Sequence, residues 1–502
     1  MNGAAGAERP HPPGEYPVVV VGSGPGGLQI SYNLERLGVR HAVISADDAP
    51  GGMFRRFPLL ERLITWTKPY APAEPGTRAY EWYDWNSLLG EEPEHRATVR
   101  PLMDGTSYFP ARAEMEAGLA SFTELAGLQV RYGCRWEGTE RTDRGFVLHA
   151  SDGEFRCRAA VFAVGMTVPW KPTTPGLDQV PHYVDVRQPK EYANRRVVII
   201  GKRNSGFEIA DGLLPWARRV VVVSPRPARI SVLARSTAAA RARYLQPYED
   251  HVLGGGVFVL DAAVEEVRRT ADGWLVRCRG TTIPVELSLE ADDVVAATGF
   301  RTPLQDLPSL GVATFFQGGR LPAQTPYWES PTVSGIYFAG NATQGSVGMK
   351  KYGIPSNSGA VHGFRYNARI LAEHIARTHL GYDSPEETVP QRDVVNLLLD
   401  EVTSAPELWN QQSYLCRVLE FVPDRGILDR RFQPLAHFVD APGPDAVAVT
   451  VETDGEGEIH PAVYVRRRGE VNEYTLPPNT LNDFCSGEHR ARLTQVMSDL
   501  LD

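Results

Sequence analysis

The chain has 502 residues, 42% of them apolar, and a formal charge of -9. Such a length suggests about three domains with a large core, and the acidic balance, without a basic cluster to track phosphates, excludes a nucleic-acid-binding role. No apolar run reaches the roughly 18 residues of a membrane span, and the opening stretch lacks the apolar segment of a secretory signal, so a cytoplasmic protein with a disordered arm over 1–16 is expected.

The first element is "VVVVGSGPGGLQISYNLERLG" at 18–38. Val18 to Val21 form a buried strand. Leu28, Ile30, Leu34 and Leu37 then recur near helical spacing, Gly38 stops the helix, and "HAVIS" at 41–45 is the next strand. A glycine triplet in a strand–turn–helix–strand setting has a mechanism. Gly22 permits the tight turn, Gly24 lets a pyrophosphate touch the backbone, and Gly27 lets helix and strand pack closely. Pro25 is the residue between them that enters the helix. The helix N-terminus then offers free N–H groups and a positive dipole end to phosphates.

A second unit repeats the pattern. "RRVVIIGKRNSGFEIADGLL" starts at Arg195 and "RRVVVVSPRPARI" at Arg218. Two such units imply two nucleotides, a flavin and a nicotinamide. The apolar strands "AAVFAVG" (159–165) and "DDVVAATGF" (292–300) carry the chain between the two domains, and "GIYFAGNATQG" (335–345) is a further buried strand. "SNSGAVHGFRYNARILAEHI" reads as a helix capped by a side chain among Ser356 to Ser358. After the polar linker "DSPEETVPQRD" come a helical stretch and alternating strands such as "AVAVTVE" and "AVYVRRR", with no repeat and no chemical motif. The expected fold is α/β: two Rossmann-like dinucleotide-binding domains plus a C-terminal α+β extension. The boundaries expected are 17–165 and 291–382 for FAD, 166–290 for NAD(P)H, and 383–502 for an extension that is structural or dimerising.

The cysteines, Cys134, Cys157, Cys278, Cys416 and Cys485, are scattered without a C-x-x-C pair or metal-ligand spacing, which fits buried thiols in a reducing compartment. Lysines number six against 46 arginines, the coding bias of a GC-rich, bacterial source. Two of those lysines, Lys350 and Lys351, are adjacent in the loop "GSVGMKKYGIPSNSG". A compact ammonium there could stabilise anionic reduced flavin or hold an acidic substrate; a solvated pair is the plain alternative.

Gly22, Gly24 and Gly27, the paired Gly51 and Gly52, "YFPARAEM" from Tyr108, the Asn204-Ser205-Gly206 turn and "ATGF" at 297–300 resemble the two-dinucleotide-domain flavoproteins. Within these the chain is similar to class B flavin-dependent monooxygenases and, more closely, to the FAD-dependent oxidoreductase domain-containing family of the ER flavoprotein associated with degradation. The latter similarity rests on "GLQISYNLERLG", "DWNSLL" at 84–89, "NSGFEIA" at 204–210, "HGFRYNAR" at 362–369 and "HPAVYVRRR" at 460–468, and so covers most of the chain. The resemblance implies bound FAD, reduction by NADPH, and O2 chemistry through a C4a-peroxyflavin on a small-molecule substrate.

The sequence departs from the family at three positions. The ribose-holding glutamate at the end of the second strand is replaced by Ser45, with Asp47 just beyond. The middle glycine of the second turn, after Gly201, is Arg203. Asn341, next to Gly340, stands where an aspartate commonly meets the ribityl chain. Arg226 and Arg229 follow the next strand, where a 2′-phosphate needs positive charge. Met53, Phe54, Trp66, Thr67 and Lys68 follow the double glycine and would line the flavin ring or belong to ordinary packing; Trp136 is a further cofactor candidate. His362 sits at the start of the helix expected to point at the flavin, as a catalytic or a packed residue. The expected activity is that of an FAD- and NADPH-dependent monooxygenase, open to homodimer formation, with a flavin or NADPH oxidase and a non-enzymatic FAD-stabilised binding protein as alternatives.

Overall fold

The computed structural model describes residues 9–231, 240–241, 256–316, 318–346 and 357–501. They fall into two compact units, one of Met1–Arg55, Thr65–Gly165 and Thr302–Asp502, the other of Arg56–Ile64 and Met166–Arg301.

The first unit is built on a parallel sheet in the order Ile336–Phe338, Ala159–Phe162, Val18–Val21, His41–Ile44. Every residue of these strands is buried, as expected for a parallel sheet covered on both faces. Helix α1 (Pro25–Arg36) follows the first strand, and α2 (Arg112–Leu125) precedes an antiparallel sheet of Trp136–Thr142, Gly145–Ala150 and Gly153–Cys157. Val19, Ile44, Phe155, Phe162 and Phe338 lie in one apolar core that joins the two sheets.

The second unit has its own sheet, in which Phe258–Thr270, Arg219–Ser224, Arg196–Ile200 and Asp293–Ala296 run parallel and the pair Gly273–Gly280, Glu286–Ala291 closes one edge antiparallel. Helix α3 (Asn204–Leu213) follows the Arg196–Ile200 strand. Its buried Glu208 accepts hydrogen bonds from Leu60 N (2.9 Å) and Tyr183 Oη (2.7 Å), which ties the excursion at 56–64 into this unit.

Helix α4 (Val361–Leu380) packs along α1 in the first unit. The extension belongs to this unit as well. It contains helices α5 (Val394–Ser404) and α6 (Pro406–Asn410), further helices at Leu435–Asp440, Gly487–Val496 and Ser498–Leu501, and a sheet ordered Glu387–Thr388, Gly426–Pro434, Leu415–Val422, Ala446–Thr453, Ile459–Arg467, Glu470–Thr475. Arg78 reaches it through Glu401 and Glu407, both at 2.8 Å. Among the described residues no helix is long and apolar enough to cross a membrane.

Three expectations are corrected. From Arg9 onward the arm is not a free tail: Arg9 pairs with Asp152 (2.8 Å) and Gly14–Glu15 pairs with Phe155–Arg156. The return to the first unit comes at Thr302 rather than 291, because Asp293–Ala296 completes the second sheet beside Val197–Ile200. The helix at 361 starts from Ala360 without a side-chain cap, since Ser358 Oγ is engaged by Asn367 and Gln411 instead; Ser356 lies outside the described residues.

Where α4 meets the extension, the Tyr327 ring stacks on His374 (4.1 Å, 5°) and His437 stands edge-on to Tyr327 (4.9 Å). Burial is the largest cause holding the His374 imidazole down, to about 4. The unfolded chain, with an ordinary histidine pKa, then takes up this proton first, so the contribution is intact above about pH 6.5 and is lost as pH falls toward 4. Urea unfolding at stepped pH should show stability declining through that window, and His374→Phe should flatten part of the decline; parallel profiles for the two proteins would refute the assignment.

Candidate functional site

The first glycine turn shows which glycines the protein itself requires. A Cβ at Gly22 (φ +112°) would lie 2.6 Å from Ala163 O, and one at Gly27 would lie 1.9 Å from Gly22 O. These are the turn and the helix–strand contact. A Cβ at Gly26 would sit 2.3 Å from Gly340 Cα. Gly24 is different. Its backbone is ordinary extended chain, and an added Cβ would meet nothing nearer than Gly52 Cα at 3.6 Å, an ordinary contact. Packing leaves Gly24 unexplained, while a phosphate laid on the backbone explains it. Gly24 is the N-cap of α1 with Pro25 behind it, so the first-turn amides are free for an anion. The cradle fits the pyrophosphate of FAD.

Around this turn the geometry assigns roles to the departures. Ser45 is buried; its hydroxyl is hydrogen-bonded to Ser23 Oγ (2.8 Å) and accepts from Asp47 N (3.2 Å), so it braces the turn. The Asp47 side chain has no hydrogen-bond or ion-pair partner among the described residues, whereas Asp48 is paired with Arg55. A ribose diol therefore finds Asp47 available. Gly52 (φ +56°) brings its backbone against Gly24, where a Cβ would lie 2.8 Å from Gly24 Cα. Met53 and Phe54, in the short 3-10 turn that follows, are half-buried. Gly340 (φ +67°) starts a 3-10 turn, Gly340–Gly345, wedged against α1. In that turn Asn341 Oδ1 accepts from Gln344 Nε2 (3.0 Å), which leaves the Asn341 amide nitrogen to donate elsewhere.

Two catalytic candidates come together through a residue the sequence did not single out. Trp66 stacks on Trp85 (3.7 Å), and Trp85 stacks on His362 (4.3 Å), which is fully buried in the first turn of α4. Lys68 Nζ stands 5.5 Å from the Trp66 ring and 5.7 Å from that of Tyr83. Trp85 sits inside "DWNSLL", and that motif was the only signal for it. Lys350 and Lys351 lie outside the described residues. Two cofactor expectations are corrected at the level of the side chain. Trp136 is a core residue, packed on Phe162 (4.7 Å), with its indole N–H spent on Gly138 O and Thr139 Oγ1, both 3.0 Å. Thr67 is fully buried; it donates to Asp84 Oδ1 (2.7 Å) and accepts from Asn86 Nδ2 (3.0 Å), and so knits its own loop.

The second turn repeats the packing half of the design. A Cβ at Gly201 (φ +127°) would lie 2.2 Å from Ala297 O, and one at Gly206 2.0 Å from Gly201 O. Arg203 takes the Gly24 position, as N-cap of α3 in extended conformation. Asn204 Oδ1 accepts from Arg241 N (3.1 Å), and Ser205 stays half-buried. Buried Lys202 is tied to Asp261 and donates to Leu260 O (2.8 Å), which fixes the turn to the Phe258–Thr270 strand. Arg203 is exposed at the surface, yet partial burial, and after that the nearby Arg226 and Arg229 charges, press its pKa down. None of the three arginines has an ion-pair partner among the described residues. They form a positive cluster at the N-terminus of α3, unpaired among the described residues.

Residues 19–340 match the family described as pyridine nucleotide-disulphide oxidoreductase. The chain belongs to this family. It is an FAD-dependent oxidoreductase, with FAD and a pyridine nucleotide as its cofactors. The oxidoreductase is 26% identical over 448 residues to FAD-dependent oxidoreductase domain-containing protein 2 of Mus musculus, and 27% over 442 residues to that of Danio rerio. These alignments cover 80 and 77% of this chain but only 64 and 62% of those relatives. Among solved structures it resembles the bacillithiol disulfide reductase of Staphylococcus aureus (TM-score 0.55, 15% identity) and a flavin-containing monooxygenase of Stenotrophomonas maltophilia (TM-score 0.54, 20% identity). Each match covers 72% of this chain and 98% of the other. The fold is thus shared by enzymes of different chemistry.

The oxidoreductase permits a direct test of why its glycines are there. Gly27→Ala should destabilise the protein by about 1–3 kcal/mol or more through overpacking. Gly24→Ala should leave the unfolding midpoint of the apoprotein nearly unchanged while copurified FAD, read from flavin absorbance, falls sharply. Full flavin occupancy in Gly24→Ala would remove the pyrophosphate from this turn.

Proposed function

We propose that the oxidoreductase is an NADPH-dependent monooxygenase that hydroxylates a nitrogen or another heteroatom of a small molecule, with O2 as co-substrate. When bound, FAD supplies hydride acceptance from NADPH and activation of O2. The observation that carries the choice among acceptors is the state of the thiols. All five cysteines are free, and Cys134, Cys157, Cys278 and Cys416 are buried. Burial pushes all four thiols up, Cys157 to about 12 and Cys278 to about 11. Thiolate is the form that attacks a disulfide, so these residues are poorly suited to a dithiol relay, and O2 is the better-supported acceptor.

The chain's own residues then have distinct tasks. The α1 amides and Gly24 hold the pyrophosphate and Asp47 the ribose. Met53, Phe54 and the Trp66–Trp85–His362 stack present apolar and aromatic surface that excludes water from the reacting end. Arg226 and Arg229 recognise the 2′-phosphate of NADPH, with Arg203 as a donor to its pyrophosphate.

Turnover under 18O2 with a panel of small amines and thioethers tests the reading. Label in the product, with NADPH consumption matched to product, is expected. Stoichiometric H2O2 without labelled product would make the protein an NADPH oxidase. For the nucleotide, Arg226→Ala should raise KM for NADPH by roughly ten- to a hundredfold, the worth of one charge-assisted contact, and leave NADH little changed. Equal effects on both would discard the 2′-phosphate role.

A further inference from the structure

The extension carries no chemical motif, yet the short stretch 410–414 reaches the flavin half at several points. Gln411 is fully buried. Its Nε2 donates to Ser358 Oγ (3.1 Å) and to Asn367 Oδ1 (2.6 Å). Asn367 Nδ2 in turn donates to Ser358 Oγ (3.0 Å) and, at 3.4 Å, to Thr343 Oγ1. Thr343 Oγ1 donates to the carbonyl of Gly340 at 2.8 Å. Beside this chain of bonds, Asn357 N donates to Asn410 O (3.3 Å), while Tyr414 Oη is bonded to Ser346 Oγ and to Pro326 O (3.0 Å). Gln411, Ser358, Asn367 and Thr343 are each at most 1% exposed.

A buried network of this kind has little slack. Each group left without a partner bears the full cost of desolvation. An apolar side chain at 411 removes the donor to Asn367 Oδ1. Asn367 regains a donor by turning its amide at the cost of its bond to Thr343. The disturbance passes to Gly340, whose backbone lies against Gly26 in the first glycine turn. We infer that Gln411 is a positioning residue of the flavin site: the extension sets the backbone of Gly340–Gly345 and, with it, the surroundings of bound FAD. The inference rests on the reading that this turn faces the flavin.

The test uses the full chain. Gln411→Met keeps the volume and removes the amide. It should weaken FAD binding by about tenfold, the worth of one of the two buried hydrogen bonds it removes, alter the visible circular dichroism of the flavin, and move its midpoint potential in dye equilibration. Tyr414→Phe, which removes one hydroxyl, should move the same observables less and serves if Gln411→Met does not fold. A lowered melting temperature with wild-type FAD affinity, dichroism and potential would overturn the inference and leave the extension a plain support. Asn341→Ala separates the two ways of failing. If it shifts the flavin spectrum and the 411 and 414 variants do not, the turn faces the flavin and only the inference falls. If none of the three shifts it, the reading of the turn falls too.

Discussion

Two backbones meet at Gly26 and Gly340 with no room for a side chain between them. A Cβ on the first would lie 2.3 Å from the Cα of the second, and one on the second 3.1 Å from the Cα of the first. Much of the first unit follows from this contact. It fixes the N-terminus of α1 against the turn after the Ile336–Phe338 strand, and so brings together segments more than three hundred residues apart. α1 can then present its free amides at a defined place, and α4 can lie along it. The helix end suited to an anion is thus located by steric exclusion as well as by its dipole.

Much of this was legible in the residues. Val18–Val21, Pro25–Arg36 and His41–Ile44 follow from apolar runs, glycine punctuation and helical spacing, and the same logic found Arg196–Ile200, α3 and Arg219–Ser224. The two turns use the same pair of outer glycines for the same reason: Gly22 and Gly201 pass a carbonyl of a neighbouring strand end, and Gly27 and Gly206 pass the carbonyl of the first glycine. Only the middle position differs, Gly24 against Arg203. A fixed local spacing with a local steric cause can be read from one sequence.

What was not legible is made of contacts without local pattern. Trp85 joins Trp66 and His362 only because the loop at 65–87 folds back on α4. Ser358 resembles a helix cap in sequence, but its hydroxyl goes to Asn367 and Gln411, the second of them 53 residues away. Trp136 and Thr67 look available as bulky and polar neighbours of a cofactor, yet each spends its polar atoms inside the fold. A side chain's competing partners are set by tertiary packing, and periodicity carries no record of them.

The first unit is assembled from three separated stretches, Met1–Arg55, Thr65–Gly165 and Thr302–Asp502, whereas nearly all of the second is the single run Met166–Arg301. On the ribosome this order has a consequence. The first glycine turn emerges early, but Gly340, which it packs against, and Gln411, which braces that region, emerge only after the whole of the second unit. At roughly 5–20 residues per second the interval is on the order of tens of seconds. Until Ile336–Phe338 is made, the strand Ala159–Phe162 keeps one open edge without its final neighbour. The first unit, rather than the second, is therefore the part that waits longest for its last partners while the chain is being made.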